Sequence, residues 1–184
     1  TFFTAIVVWL ALLWSEKANE QGNERYILII SYMIGLATGL HLLNLLTIPF
    51  VALLIYFRKF KFQWTSFGIL VALTGLVFFI IHNVIIKGMP KIADAIGVSL
   101  TGLLILAIFA GMVWAVLNHK QLISIVLTSM VLILIGYSTY ALIFIRSNQD
   151  PGIDENDPET VEAFISYLER EQYGDVGMFP RRFK

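Results

Sequence analysis

The sequence contains no cysteine, so disulfide bonds and thiolate metal sites are both excluded. Charged residues are scarce at 14% of the chain, and the stretch 26–57 has no Asp, Glu, Lys or Arg. By contrast, 58% of the residues are hydrophobic, above the roughly 45–50% of soluble domains. Because the apolar residues form long uncharged runs, the sequence predicts an all-α, polytopic transmembrane helix bundle, and no nucleic acid is expected as a partner.

Polar loops divide the chain into a transmembrane region, 1–145, and an acidic tail, 146–184. The apolar runs predict five or six membrane segments in the first region. These segments are expected at about 1–14, 26–57, 64–86, 92–117 and 122–145. The chain has no initiator Met and its first apolar run begins abruptly, so we interpret it as an internal piece of a longer protein.

The segment 26–57 is too long for one plain membrane span. Its 32 residues would form a helix of about 48 Å, whereas the hydrocarbon core is roughly 30 Å thick. Gly39 and Pro49 weaken the helix near its middle, and the freed backbone groups need partners that lipid cannot supply. We therefore expect an interruption beside protein or a water-filled cavity. It is either one broken crossing, giving five segments, which the net charge of −1 on the loop 15–25 mildly favours, or a fold-back, giving six.

Polar residues recur at every third position of this interruption, namely Thr38, His41, Asn44 and Thr47. On a continuous α-helix successive members would be about 60° apart, so adjacent ones would share a face. A polar face inside a membrane must contact protein or water. It would either accept a substrate headgroup in a polar pocket, or form interhelical hydrogen bonds beside a close-packing Gly35–Gly39 pair.

Three further residues are candidates for substrate binding. His82 and Asn83 lie near the end of the span 64–86, where they would either face the same cavity or be interfacial residues bonded to water. Arg170 in the tail is available for a phosphate, with a solvated helix end as the alternative. The histidines lack the spacing of metal ligands and no catalytic motif is present, so we predict no metal site.

Positive charge orients the predicted spans. The loop 58–63 (RKFKFQ) has three basic residues and no acid, so we place it in the cytoplasm. Alternation then puts the loop 87–91 outside, the loop 118–121 inside and the acidic tail outside. His41, which precedes Phe57 by 16 residues, would lie about 24 Å from the cytoplasmic end, in the outer part of the bilayer.

The tail has the signals of one amphipathic helix, at about 158–173. Asp157 is expected to be its N-cap, with Pro158 at the first helical position. An apolar face follows with helical spacing at Val161, Phe164, Ile165 and Leu168. Because the polar face is mainly acidic, we expect this helix to pack on protein rather than on anionic lipid.

Two motifs make the chain resemble a known family: GLATGLHLLNLL at 35–46 and YLEREQYGD at 167–175. They are similar to segments of the DUF2723 family of bacterial multi-pass membrane proteins, which is related to the animal protein O-mannosyltransferase TMEM260. The resemblance implies a GT-C type glycosyltransferase in the bacterial inner membrane, with an extracytoplasmic tail. The usual catalytic carboxylate of such enzymes lies in a first large outer loop, which we expect outside this chain.

The same resemblance implies the substrates. The donor would be a sugar linked to polyprenyl phosphate, mannose being one candidate, and the acceptor a Ser or Thr of a protein, with no further cofactor. The expected partners are the lipid bilayer, the lipid-linked sugar, the acceptor protein and a larger membrane complex. Two other classes are compatible with the residues: a transporter or flippase of a lipid-linked substrate, for which broken helices are typical, and a non-catalytic membrane subunit.

Overall fold

The computed structural model describes residues 2–38, 42–154 and 156–169, and all regular structure within these ranges is helical. The all-α prediction is therefore confirmed. The described helices are α1 (Phe2–Glu16), α2 (Glu24–Thr38), α3 (Thr47–Lys59), α4 (Trp64–Phe79), α5 (Gly88–Ile96), α6 (Val98–Leu117), α7 (Gln121–Tyr137), α8 (Ala141–Ser147) and α9 (Val161–Glu169). Two 3₁₀ segments (Leu42–Leu46 and Ser138–Tyr140) and one π-helical segment (Ile80–Ile86) join some of them directly.

Three continuous helical stretches within the described residues are long and apolar enough to cross a membrane. They are Trp64–Ile86, Val98–Leu117 and Gln121–Ser147. Most of their surface is not covered by protein, and α4 has no buried residue at all. Exposed apolar surface on this scale indicates a lipid environment, since its contact with water would cost a large free energy.

The predicted span 92–117 is wrong in one respect, because it is not a single helix. Gly97 has a φ of +87° and separates α5 from α6. This left-handed conformation suits glycine, which lacks a Cβ, and it turns the chain sharply. The stretch 87–91, which the sequence predicts to be a loop, is largely the first part of α5.

Helices α2 and α7 pack so closely that their backbones are in contact. A Cβ atom added to Gly136 of α7 would lie 2.6 Å from the backbone nitrogen of Leu36 and 2.8 Å from the carbonyl carbon of Gly35. A Cβ added to Gly35 would in turn collide with the carbonyl oxygen of Ile133. Small residues allow this approach in membrane helices. Gly35 thus packs against α7. Gly39, the second glycine of the predicted close-packing pair, lies outside the described residues.

The stretch 24–59 folds back on itself. Thr4, at the start of α1, donates a hydrogen bond to Asn44 Oδ1 (3.0 Å), just before α3. At the other ends of the same two helices, Arg58 Nε donates to the carbonyl oxygen of Ser15 (2.8 Å). Helices α1 and α3 are therefore parallel, and α2, which packs on α1, runs in the opposite direction. Of the two arrangements that the sequence leaves open, these contacts are those of the fold-back.

The loops gather at two ends of the helix bundle. Helices α2 and α7 are parallel, because Gly35 contacts Ile133 and Thr38 contacts Tyr140 further along. One end, which we call the basic end, holds the loops after α1, α3 and α6. The other, the tail end, holds the termini of α2, of the π-helical segment and of α8. The loops 58–63 and 118–121 lie at the basic end and the stretch 87–91 lies at the tail end, as expected from their alternation. Which end faces the cytoplasm stays a prediction.

The tail helix begins three residues later than expected. Asp157 is not its N-cap, because its φ of +43° places it in a left-handed turn. Thr160 caps α9 instead, its hydroxyl accepting a hydrogen bond from the Ala163 amide (3.1 Å). Helix α9 packs on α5, and the ring of Phe164 meets that of Phe144 edge-on, with the ring centres 5.9 Å apart. The tail helix thus packs on the membrane body of the protein.

We predict that Gly136→Ala destabilises the protein by about 1–3 kcal/mol, because the added methyl group must force α2 and α7 apart. Thermal unfolding of the detergent-purified protein measures this effect. Gly111→Ala in α6 is the matched control, since its Cβ would lie 3.5 Å from Leu127 Cδ1, an ordinary contact. Both variants gain helix propensity, so equal melting temperatures for the two would contradict the backbone contact.

Candidate functional site at the tail end

The interruption between α2 and α3 lies at the tail end of the bundle. A helix end leaves carbonyl groups without partners in its own helix. The hydroxyl of Tyr140 donates to the Thr38 carbonyl oxygen (2.7 Å), and Thr47 Oγ1 donates to that of Asn44 (2.7 Å). Side chains therefore supply hydrogen bonds that lipid could not.

Asn44 carries the unusual group of this region. Its side chain is only 5% exposed. Thr4 donates to its Oδ1, but its Nδ2 is a buried donor that has no hydrogen-bond partner among the described residues. Such a group costs about 1–3 kcal/mol when unpaired, so native proteins seldom leave one without a ligand or water. Asn44 lies about 24 Å from Lys59 along α3 and the 3₁₀ segment, well away from the basic end.

The predicted polar residues do not lie on one continuous helix. Because the chain reverses after Thr38, Thr38 and Asn44 lie on separate helical segments. Thr38 is 1% exposed, and its hydroxyl donates to the Gly35 carbonyl oxygen (2.6 Å), so it serves the helix end rather than a ligand. His41 and Arg170 lie outside the described residues, and their proposed roles stay predictions.

His82 and Asn83 lie in the π-helical segment at the same end of the bundle. The half-buried His82 ring stacks on Phe78, with the ring centres 6.1 Å apart, and the exposed Asn83 donates to the Phe79 carbonyl oxygen (3.3 Å). Short π-helical segments are frequent at functional sites because the extra residue redirects side chains. Tyr137 fixes this segment by donating to the Ile86 carbonyl oxygen (2.9 Å).

Tyr137 and Tyr140 are the site residues that sequence reasoning missed. They hold the π-helical segment and the end of α2, respectively. A signal was present: two tyrosines in GYSTY, close to the end of an apolar run, whose hydroxyls need partners once buried. Their partners could not be read from the sequence, because each bond joins residues far apart in the chain.

Three carboxylates of the tail linker also gather at this end. Ligand oxygens of Asp154, Asp157 and Glu159 lie within 4.8 Å of one another, and Ser147 Oγ donates to Asp154 (2.5 Å). The pKa of Glu159 is raised, chiefly by the charge of Asp157, then by partial burial and by Asp150 and Asp154. Exposed acidic groups often lie this close without binding a cation, so the cluster defines no metal site.

The fold and the interruption define an all-α membrane protein whose helices break at one end around a buried amide. The family model described as the N-terminal domain of protein O-mannosyl-transferase TMEM260 matches residues 1–64, out of 184. The matched stretch contains α1, α2 and α3, and hence Asn44. No curated protein and no solved structure matches the chain.

We predict that Tyr140→Phe loosens the end of α2, because the buried Thr38 carbonyl loses its donor at a cost of about 1–3 kcal/mol. Faster amide hydrogen exchange in the peptide covering 30–38 would show it. Tyr26→Phe is the control, since its hydroxyl is at the basic end and accepts only a long, exposed bond from Arg25 (3.5 Å). Equal exchange in both variants would exclude this role for Tyr140.

We predict that Glu159→Gln stabilises the folded form of the linker 148–160 at neutral pH. A raised carboxyl pKa means that the folded linker takes up a proton more readily than the unfolded one, so its stability falls as pH rises through the window just above 4.5. The variant lacks this loss, so its amide protection should exceed that of the unmodified protein at pH 7 and equal it below the ordinary carboxyl pKa. Glu162→Gln removes a carboxylate outside the cluster and is the control. A gain of protection independent of pH would refute the charge repulsion.

Proposed function

We propose that this chain is part of a membrane glycosyltransferase that moves a sugar, mannose in the first instance, from a polyprenyl-phosphate donor to Ser or Thr of an acceptor protein. The match of residues 1–64 to the O-mannosyl-transferase family model carries this proposal. The buried, unpaired Asn44 amide within that stretch supports it from the geometry. A donor with phosphate and sugar oxygens offers the acceptors that this amide lacks.

Charge supports an extracytoplasmic location of the reaction. Six of the eight Lys and Arg residues of 1–145 belong to the loops and helix ends of the basic end. The positive-inside rule then assigns that end to the cytoplasm and the tail end, with Asn44, to the opposite face. By resemblance, the membrane is the bacterial inner membrane.

The role proposed for Asn44 is binding and orientation of the donor. In a buried site of low dielectric, an amide that points at a phosphate or sugar oxygen forms a strong hydrogen bond. His41 is proposed to act beside it, as the sequence motif suggests. The acceptor hydroxyl then attacks the anomeric carbon while the bond to the lipid phosphate breaks, and a carboxylate outside this chain removes the hydroxyl proton.

We predict that Asn44→Ala in the full-length protein lowers kcat/KM for sugar transfer by roughly 10- to 100-fold, the loss of one hydrogen bond to a charged group. Transfer of labelled mannose from polyprenyl phosphate to a Ser/Thr peptide measures it. His41→Ala tests the neighbouring imidazole in the same assay. Normal expression and unchanged melting would show that the variants fold.

Thr4→Val is the matched control. It removes the hydrogen bond to Asn44 Oδ1 but leaves the amide donor in place. If Thr4→Val and Asn44→Ala reduce transfer equally, Asn44 has a structural role only. Translocation of the labelled lipid in proteoliposomes without a modified peptide would replace the transferase with a flippase.

A further inference from the structure

An apolar groove runs between α3 and α4 on the outside of the bundle. Its volume is about 330 Å³, at the lower end of the range for ligand pockets. Helix α3 contributes Pro49 and Leu53, and one face of α4 contributes Phe67, Leu70, Val71, Thr74, Gly75 and Phe78. The Thr74 hydroxyl is the one polar side-chain group of this lining, so the groove suits a hydrocarbon chain.

The position of the groove matches one leaflet of a bilayer. It begins at Phe67, about 5 Å along α4 from Trp64, and ends at Phe78, about 16 Å further. Half of a hydrocarbon core of roughly 30 Å is about the same length. Trp64 is 80% exposed and lies at the basic end, as expected of an aromatic residue at the membrane interface.

Basic side chains lie where the groove meets that interface. Arg58, Lys59 and Lys61 follow α3 directly, and the sequence has no acidic residue between Glu24 and Asp94. The basic end as a whole carries six basic residues against Glu16, Glu20 and Glu24. An anionic headgroup at the mouth of the groove would meet a net positive charge.

The turn that carries these charges is well ordered. The hydroxyl of Tyr56 is 2.6 Å from Ser66 Oγ and accepts a hydrogen bond from the Gln63 amide (3.2 Å). The Arg58 guanidinium is held by Ser15, and the Lys59 ammonium lies 5.4 Å from the centre of the Trp14 ring. Arg58 and Lys59 are thus fixed at the basic end before any ligand arrives, which lowers the entropy cost of binding an anionic headgroup there.

We propose that the α3–α4 groove binds one acyl chain of an anionic glycerophospholipid, whose phosphate contacts Lys59 and Lys61. This lipid lies in the leaflet at the basic end, opposite the Asn44 site. It is therefore distinct from the donor of the proposed transfer reaction. The bound lipid would lie along the contact between α3 and α4, and it would stabilise the packing of α3 against the membrane-spanning α4.

The test uses the full-length protein in nanodiscs of equal phosphatidylglycerol and phosphatidylcholine, followed by extraction and counting of the lipid that remains bound after detergent washing. Gly75→Leu fills the groove, since an added Cβ there meets nothing within 4 Å. Gly102→Leu, at an equally open position of α6, is the matched control. Lys59→Gln with Lys61→Gln removes the headgroup charge, and Lys87→Gln with Lys91→Gln is its control at the tail end.

The expected result is retention of phosphatidylglycerol over phosphatidylcholine, lost in Gly75→Leu and kept in Gly102→Leu. The Lys59 and Lys61 double variant should lower the preference by roughly five-fold or more, in line with the attraction of each basic residue to an anionic surface. Equal retention of the two lipids, or equal behaviour of the two leucine variants, would overturn the proposal. A change of oligomeric state in Gly75→Leu with no loss of lipid would also overturn it, because a neighbouring helix would then occupy the groove.

Discussion

The hydroxyl groups of Tyr137 and Tyr140 provide what the bilayer cannot, namely hydrogen-bond donors for the carbonyl groups where two helices depart from α geometry. Tyr140 serves the last residue of α2, and Tyr137 serves the last residue of the π-helical segment. Without them, two buried carbonyl oxygens would lose these donors, each at a cost of about 1–3 kcal/mol. The irregular backbone of the tail end depends on these two side chains, at the end of α7 and in the 3₁₀ segment that follows it.

These hydrogen bonds depend in turn on glycine. Tyr140, in the 3₁₀ segment that follows α7, reaches the Thr38 carbonyl because α2 and α7 touch at Gly35 and Gly136, where no side chain intervenes. Packing and polar satisfaction are therefore coupled: a wider separation would weaken the dispersion contacts and lengthen the hydrogen bond together.

The interruption was predictable because it rests on a local fact, an uncharged stretch too long for one span, with Gly39 and Pro49 near its middle. The direction of the chain after it was not, since the hydrogen bonds that show the path, Thr4 to Asn44 and Arg58 to Ser15, span 40 and 43 residues. The break between α5 and α6 at Gly97 was not predictable either, because glycine is common within membrane helices and only the observed φ reveals the turn. Asp157 was predicted to cap the tail helix but lies in a turn, because Thr160, a second residue suited to this role, caps the helix three residues later.

The candidate site residues, too, could be predicted from the sequence only in part. Asn44 became a candidate because polar residues are rare in an apolar stretch, as did Thr38, whose hydroxyl bonds to a carbonyl of its own helix. What separates them is the fate of each donor, which the sequence does not record. Asn44 Nδ2 has no acceptor among the described residues, so an oxygen of the proposed donor would add a hydrogen bond that the protein itself does not supply. Any ligand that supplies an oxygen to Nδ2 must therefore stabilise the fold as it binds, by mass action on the folded state. Donor binding at Asn44, as proposed above, would therefore be thermodynamically linked to folding.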